Sequence, residues 1–183
     1  MTGLKPSWGR VSRYGMFELA ATLDHVGPLA RNAADAGALL GAVAGADSLD
    51  PTAARVAVPD YLAGLRRELA GLRIGLDPEF AFGGVEAVDD MQRGGARIVP
   101  LRFPDVSQMV ADWFPVCAVQ TAVAHEDSYP ARKAEYGQAL ADLIELGRGL
   151  SGMEYQRLIL RREAFRGRLS ACSTKPTCWY CRS

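Results

Sequence analysis

The sequence has no long hydrophobic run. Although 49% of its 183 residues are apolar, no apolar stretch approaches the roughly 20 residues that a membrane-spanning helix needs. The first ten residues, MTGLKPSWGR, contain no apolar segment of the kind that a secretory signal carries. We therefore expect no membrane association and a cytoplasmic location, with one domain that has a sizeable core.

Charge of one sign is not in excess either. The chain carries 21 basic and 21 acidic residues, mostly interspersed, whereas a nucleic-acid-binding surface needs a concentrated basic stripe. The densest basic stretch, RLILRREAFRGR, repeats arginine at roughly helical spacing, at Arg157, Arg161 and Arg166. This spacing predicts the solvated face of an amphipathic helix, with a phosphate-binding surface as the alternative. We expect no nucleic-acid partner.

The N-terminal third begins irregularly and then forms a helix. Several Gly, Pro and Ser in the first 30 residues predict irregular structure with short extended pieces. The stretch NAADAGALLGAVAG predicts a helix, with Asn32 as its N-cap, Asp35 in its first turn and Gly45 as its stop. Its many small residues suit close packing against a neighbouring element.

The middle of the chain alternates strand and helix. LRIGLD (72–77) and ARIVPLRF (96–103) predict short buried strands, and VEAVDDMQRGG between them predicts a helix. This order is typical of a parallel crossover and favours an α/β fold with a mixed sheet surrounded by helices. A connecting helix of about nine residues is marginal for crossing back over a sheet, which indicates a deletion here.

The remainder predicts helices. An apolar stripe recurs every three or four residues from Val110 to Val123, with Cys117 beside it as an expected buried thiol. Pro115 should kink or restart this helix. GQALADLIELGRG and GMEYQRLILRREAFRGRL predict two further amphipathic helices.

Several stretches together carry a family resemblance. They are GLKPSWGRVSRYG, LDHVGPLAR and GADSLDP, followed later by SYPARKAEYG and EYQRLILRREAFRGRL. In these stretches the sequence resembles the amidase signature family, serine hydrolases that cleave carbon–nitrogen amide bonds. Members include the glutaminase subunit of the transamidating complex that makes glutaminyl-tRNA. The resemblance covers nearly all of residues 3–171 and implies a partial amidase fold; an intact relative would act on a small-molecule amide.

The resemblance implies a Ser-Ser-Lys triad, in which a buried neutral lysine is the base for a serine nucleophile. In the family the lysine, the relay serine and a Gly-Gly-Ser loop all precede the GLKP stretch. Lys5, Ser7 and Ser12 lie within or after that stretch, so we assign no catalytic residue to this chain. We also expect no cofactor-binding residue and no metal-binding residue.

These expectations describe residues 1–171 as the C-terminal part of an amidase domain whose N-terminal catalytic part is missing, inactive alone. The alternative is half of a split amidase that pairs with an N-terminal fragment. Loss of the N-terminal strands and helices should expose apolar sheet and helix surface and promote association.

The last 12 residues, 172–183, do not resemble the family and carry three of the four cysteines. Cys178 and Cys181 form a C-x-x-C, as in a redox pair or half a zinc site, but Cys172 supplies only a third ligand. A reading frame shifted by one base after Ala171 can encode an acidic turn and an apolar strand ending near a proline, which the family places there. We therefore interpret residues 172–183 as a frameshifted tail, with a metal or thiol protein as the alternative.

Further polar groups have plain structural interpretations. His125, Glu126 and Asp127 favour a helix end turning into solvent over a metal or acid–base site. Asp89 and Asp90 point in different directions on a helix, and Gly83 and Gly84 lack the Lys and Ser/Thr of a phosphate loop. Asp24 and His25 should hold backbone geometry. Trp8 and Tyr14 should pack in the core, with a pocket-lining role in an intact relative as the alternative.

Overall fold

The computed structural model describes residues 1–65, 69–79, 85–172 and 178–180. Helices and short strands follow one another, which confirms the α/β class. The strands are β1 (Thr2–Gly3), β2 (Leu29–Ala30), β3 (Arg73–Leu76), β4 (Arg97–Pro100) and β5 (Cys178–Tyr180). The helices are α1 (Ala33–Val43), α2 (Val85–Arg93), α3 (Ser107–Ala124), α4 (Tyr129–Arg132), α5 (Gln138–Gly149) and α6 (Gly152–Cys172).

The chain divides into two compact units. The first, which we call the loop unit, comprises Met1–Leu65 and Cys117–Gly149, and the second, the crossover unit, comprises Arg66–Val116 and Leu150–Ser183. None of the helices in the described part of the chain is long and apolar enough to cross a membrane.

The loop unit begins with irregular backbone, as predicted. Strands β1 and β2 pair antiparallel, with Thr2 opposite Ala30. Helix α1 begins after Asn32, whose side-chain oxygen accepts a hydrogen bond of 2.8 Å from the backbone N–H of Asp35. The predicted N-cap is therefore confirmed. The helix ends at Val43, two residues before Gly45 with its positive φ of 148°.

The C-terminal part of the loop unit forms its best-buried apolar cluster. Tyr129, Ala141 and Ile144 pack together. Helix α5 approaches α3 so closely that a Cβ placed on Gly147 would lie 2.0 Å from the carbonyl oxygen of Ala118. Because no side chain fits there, glycine at 147 allows this helix contact.

The crossover unit contains the predicted parallel crossover. Strands β3 and β4 pair parallel, Ile74 lies opposite Ile98, and α2 connects the two strands. Strand β5 pairs parallel with the other edge of β3. The described strands thus form one antiparallel and one parallel sheet, where we expected a single mixed sheet. The parallel sheet also takes in residues from the 172–183 segment.

The long helices correct one detail and confirm two. Helix α3 continues through Pro115, so the predicted restart is wrong; the loss of one backbone donor is offset by the rest of an 18-residue helix. Cys117 is buried, as expected. Arg157, Arg161 and Arg166 are all exposed along α6, as predicted for a solvated face.

Candidate functional site

The GLKP stretch forms one wall of an open cleft in the loop unit. The cleft has a volume of about 540 Å³ and is lined by residues 4–7, Arg10, Leu40, Ala57, Pro59 and Tyr61. Among the described residues the side chains of Lys5 and Ser7 have no hydrogen-bond partner. A serine hydroxyl needs a positioned base to become a nucleophile, and Ser7 has none here. That Lys5 and Ser7 have no catalytic role stays a prediction.

Ser12 is held in a turn. Its hydroxyl donates a hydrogen bond of 2.6 Å to Asp47 and accepts one of 3.1 Å from the backbone N–H of Tyr14. The hydrogen bond from Ser12, with one from the Leu49 backbone, lowers the pKa of the Asp47 carboxyl. A carboxylate stabilised in its charged form is a weak base, and this pair organises the loop.

A buried arginine joins the GRVSRYG and GADSLDP stretches. The backbone N–H of Arg13 donates to Asp50 at 2.8 Å, and its guanidinium donates to Thr52 at 2.9 Å and lies 3.2 Å from Glu18. Trp8 lies against the same guanidinium, 4.8 Å from the ring centroid. This cluster was missed by the sequence reasoning; the only signal was that both stretches belong to the same set of family motifs.

Asp50 is the anion of this cluster. It is 7% exposed and accepts hydrogen bonds from the Arg13 backbone and from both the N–H and the hydroxyl of Thr52. The Arg13 N–H first, then the Thr52 hydroxyl, lower the pKa of Asp50 from 3.8 to about 2. Among the described residues the Nε of Arg13 has no acceptor. The cluster of Arg13, Asp50 and Thr52 therefore fixes two loops, and the Asp50 carboxylate stays charged at neutral pH.

The LDHVGPLAR stretch is tied to nearby backbone. Asp24 accepts hydrogen bonds from the backbone N–H groups of Leu19 and Ala20, at 2.8 and 3.0 Å. The prediction that Asp24 holds backbone geometry is confirmed. The ring nitrogen Nδ1 of His25 lies 2.5 Å from the carbonyl oxygen of Leu23, so His25 also contacts local backbone.

Helix α3 holds the same loop from a second side. The side chain of Gln120 accepts from the Thr22 backbone N–H at 2.8 Å and donates to the Thr22 hydroxyl at 2.7 Å. Thr121, fully buried, donates to the carbonyl of Leu19 at 2.9 Å. Residues 19–25 are thus positioned in part by side chains that lie 98 and 102 residues further along the chain.

Two aromatic side chains contradict the expectation of core packing. Tyr14 is 65% exposed and Trp8 is 40% exposed. Phe17, in the same loop, is 70% exposed and lies 4.9 Å from the ring of His125. The segment 14–17 presents aromatic surface outward because its polar anchors, and not its rings, hold it in place.

The remaining polar candidates lie at surface positions. Helix α3 ends at Ala124, and Glu126 and Asp127 are exposed in the turn that follows, which confirms a helix end turning into solvent. His125 contacts the hydroxyl of Tyr136 at 3.0 Å. Asp89 and Asp90 are exposed on α2, and Asp90 pairs with Arg93. Gly83 and Gly84 lie outside the described residues.

The two cysteines whose side chains the structure describes, Cys117 and Cys172, are free thiols. Cys117 is buried, and burial, followed by the charge of Asp24, raises the pKa of its thiol, which disfavours the reactive thiolate. Cys172 ends α6, Cys178 begins β5, and Cys181 lies outside the described residues. Within that part of the chain no group of three or more His, Cys, Asp or Glu side chains could hold a metal ion.

Comparison with known proteins gives the family. The family model for amidases matches residues 1–171, so the chain belongs to the amidase family. It is 41% identical over 176 residues to AmiD of Mycobacterium tuberculosis, named as an amidase. It is 40% identical over 178 residues to a glutamyl-tRNA(Gln) amidotransferase chain of Solidesulfovibrio magneticus. Relatives of both the amidase and the transamidating kind therefore match.

The alignments cover most of this chain but a minority of its relatives. They include 90% of this chain and 36% of AmiD, and 86% of this chain and 36% of the amidotransferase chain. A solved structure described as a vestigial protein complex related to the origins of an s-triazine catabolic enzyme aligns with a TM-score of 0.78 and 28% identity. The aligned part is 93% of this chain and 38% of that one. The fold is therefore a partial amidase fold.

Proposed function

We propose that this chain is one part of an amidase, inactive alone, and that the Ser-Ser-Lys triad which hydrolyses a small amide is supplied by residues outside these 183. The observation that carries the proposal is the set of hydrogen-bond partners of Lys5, Ser7 and Ser12, the serine and lysine residues in and directly after the GLKP stretch. Lys5 and Ser7 have no activating partner among the described residues, and Ser12 is bound to an Asp47 whose pKa is lowered. A hydrolase nucleophile needs a base that can accept its proton.

Residues 1–171 would then supply scaffold. The Arg13 and Asp50 cluster and the Asp24 turn fix the loops that follow the nucleophile in the family. Preorganised loops lower the cost of positioning reacting groups. Residues 172–183 are proposed to be a frameshifted continuation; the family match ends at 171, and β5 lies where the shifted frame places an apolar strand. The cytoplasmic location stays a prediction.

Hydrolysis by the isolated chain tests the proposal. The purified chain should release no more ammonia than buffer from a panel of primary amides and no more aniline from anilides. Ser7→Ala and Ser12→Ala variants serve as matched controls. Turnover that is lost in either variant would place a nucleophile on this chain and contradict the proposal.

A second candidate function is half of a split amidase. It is favoured by large apolar side chains that are more than 45% exposed on three helices, Leu39 and Val43 on α1, Val110, Trp113, Phe114 and Val123 on α3, and Met153 and Leu160 on α6. The predicted exposure of apolar helix surface is thereby confirmed, whereas strands β3 and β4 expose no large apolar side chain. Patches of this kind are typical of interaction sites.

A further inference from the structure

Helix α1 has two apolar faces. One face is buried in the loop unit through Ala36, Gly37 and Leu40. The other carries Leu39, 47% exposed, with Ala38 and Ala42 beside it. A helix that is apolar all round is normally covered on every side, and in the described chain nothing covers this second face.

The second face forms the floor of an open groove. The groove has a volume of about 500 Å³ and is lined by Leu29, Ala30, Arg31, Asp35, Ala38, Leu39 and Ala42. Leu29, on β2, is 69% exposed and forms its apolar wall. The ion pair of Arg31 and Asp35, at 3.3 Å, forms a polar rim. An apolar floor with a polar rim is the usual composition of a protein–protein contact.

The strand beside the groove has a paired strand on one edge only, among the described residues. Strand β2 pairs with β1, and in the described residues this sheet has two strands. A two-stranded sheet in isolation is marginally stable, and its outer edges present unpaired backbone donors and acceptors. One partner could therefore cover both the groove and the sheet edge, if it packs apolar side chains into the groove and forms backbone hydrogen bonds with β2.

The comparisons indicate which partner this is. Residues of the chain align with only 36% of AmiD at 41% identity, and with 38% of a solved structure at a TM-score of 0.78. In those relatives most of the polypeptide lies outside the aligned part and has to pack against it. From this and the groove we infer that the outer face of α1, with Leu39 and the adjacent Leu29 of β2, is a docking surface for the amidase segment that this chain does not contain. The inference rests on the split-amidase form of the proposed function.

The test is co-expression with the missing segment. The tagged chain is produced together with the part of Mycobacterium tuberculosis AmiD outside its aligned region, and the recovered complex is measured by size-exclusion chromatography with light scattering. We expect a one-to-one complex. Leu39→Lys and Leu29→Lys should each lower the recovered AmiD segment at least tenfold, because a lysine charge would be buried in the contact. Both residues are already exposed, so circular dichroism should show unchanged folding.

A matched control separates this surface from exposed leucines in general. Leu49, in the turn that follows α1, is 60% exposed, and Leu49→Lys should change recovery less than twofold. The inference is overturned if no complex forms, if Leu39→Lys binds normally, or if Leu39→Lys instead abolishes a dimer of this chain. A complex without amide hydrolysis would leave the docking surface standing and refute the split enzyme. Amide hydrolysis by the complex, together with normal recovery of Leu39→Lys, would support the split enzyme and refute the docking surface.

Discussion

In the loop unit, side-chain hydrogen bonds stabilise irregular backbone, whereas in the crossover unit main-chain hydrogen bonds between strands stabilise regular backbone. In the first, Asp50 and Asp24 each accept two or more hydrogen bonds from loop backbone and side chains. In the second, β3 has main-chain partners on both edges, β4 and β5. The difference teaches that short polar motifs encode the loop unit, and that an apolar pattern, which tolerates substitution, encodes the sheet. Single changes should therefore cost more in the loop unit.

The largest effect is expected at Gly147, in the loop unit. Gly147→Ala places a Cβ 2.0 Å from the Ala118 carbonyl oxygen, and backbone cannot give way as a side chain can. We expect a loss of about 3 kcal/mol in the free energy of unfolding, measured by urea denaturation. Gly149→Ala, which meets nothing within 4 Å, is the control and should be neutral or slightly stabilising. Equal stability of the two variants would refute the close helix contact.

Asp50→Asn should have the next largest effect. The amide loses the charge that the Arg13 N–H and Thr52 stabilise, and the melting temperature at neutral pH should fall by roughly 6 °C. A calorimetric melt is the measurement. A change below about 1 °C would mean that the cluster contributes nothing to stability.

The same variant gives a pH test. The pKa of Asp50 is about 2 in the folded chain and 3.8 ordinarily, so between these values the unfolded chain binds more protons. Its contribution to stability is therefore fully present above the higher value and is lost as the pH falls through the lower one. Wild type should lose stability from about pH 4 to about pH 2 more steeply than Asp50→Asn. Parallel curves would contradict this assignment.

The smallest effect is expected in the crossover unit, at Arg161. Its guanidinium binds Asp112 through two hydrogen bonds, at 2.6 and 2.8 Å. The Arg161 side chain is 43% exposed, so water screens the arginine end of the pair. Asp112, whose side chain is 9% exposed, also accepts a hydrogen bond from Gln108. Arg161→Met should lower the melting temperature by roughly 2–4 °C. Arg157→Met, on the same exposed face, should change it by less. If Arg161→Met costs more than Asp50→Asn, the contrast between the units is wrong.

The features that the sequence predicted are local ones, and the features that it missed are hydrogen bonds between distant residues. Helix α1 with its Asn32 cap and the β3–α2–β4 crossover were readable, because capping chemistry and apolar periodicity are local. The bond between Arg13 and Asp50 joins residues 37 apart, and no local pattern specifies such a pairing. The exposure of Tyr14 was missed for a related reason, since its anchor is the neighbouring Ser12 hydroxyl and not its ring.

For the candidate site, the sequence mainly predicted which serine and lysine residues are not part of the catalytic triad. The resemblance places Lys5, Ser7 and Ser12 outside the expected triad, which stays a prediction, and the structure adds that Ser12 is bound to Asp47. The pairing of β5 with β3 was not expected from CSTKPTCWYCRS. Its cysteine-rich composition gives no strand pattern, so the pairing depends on the open edge of β3.

The most direct test of the central claim is the nucleotide sequence of the gene with several hundred bases on either side. We expect the upstream DNA to encode the catalytic lysine and the Gly-Gly-Ser loop, joined to this frame or in a separate one, and the frame after Ala171 to shift into an apolar strand. Upstream DNA that encodes neither motif in any frame would contradict the claim that this chain is one part of an amidase.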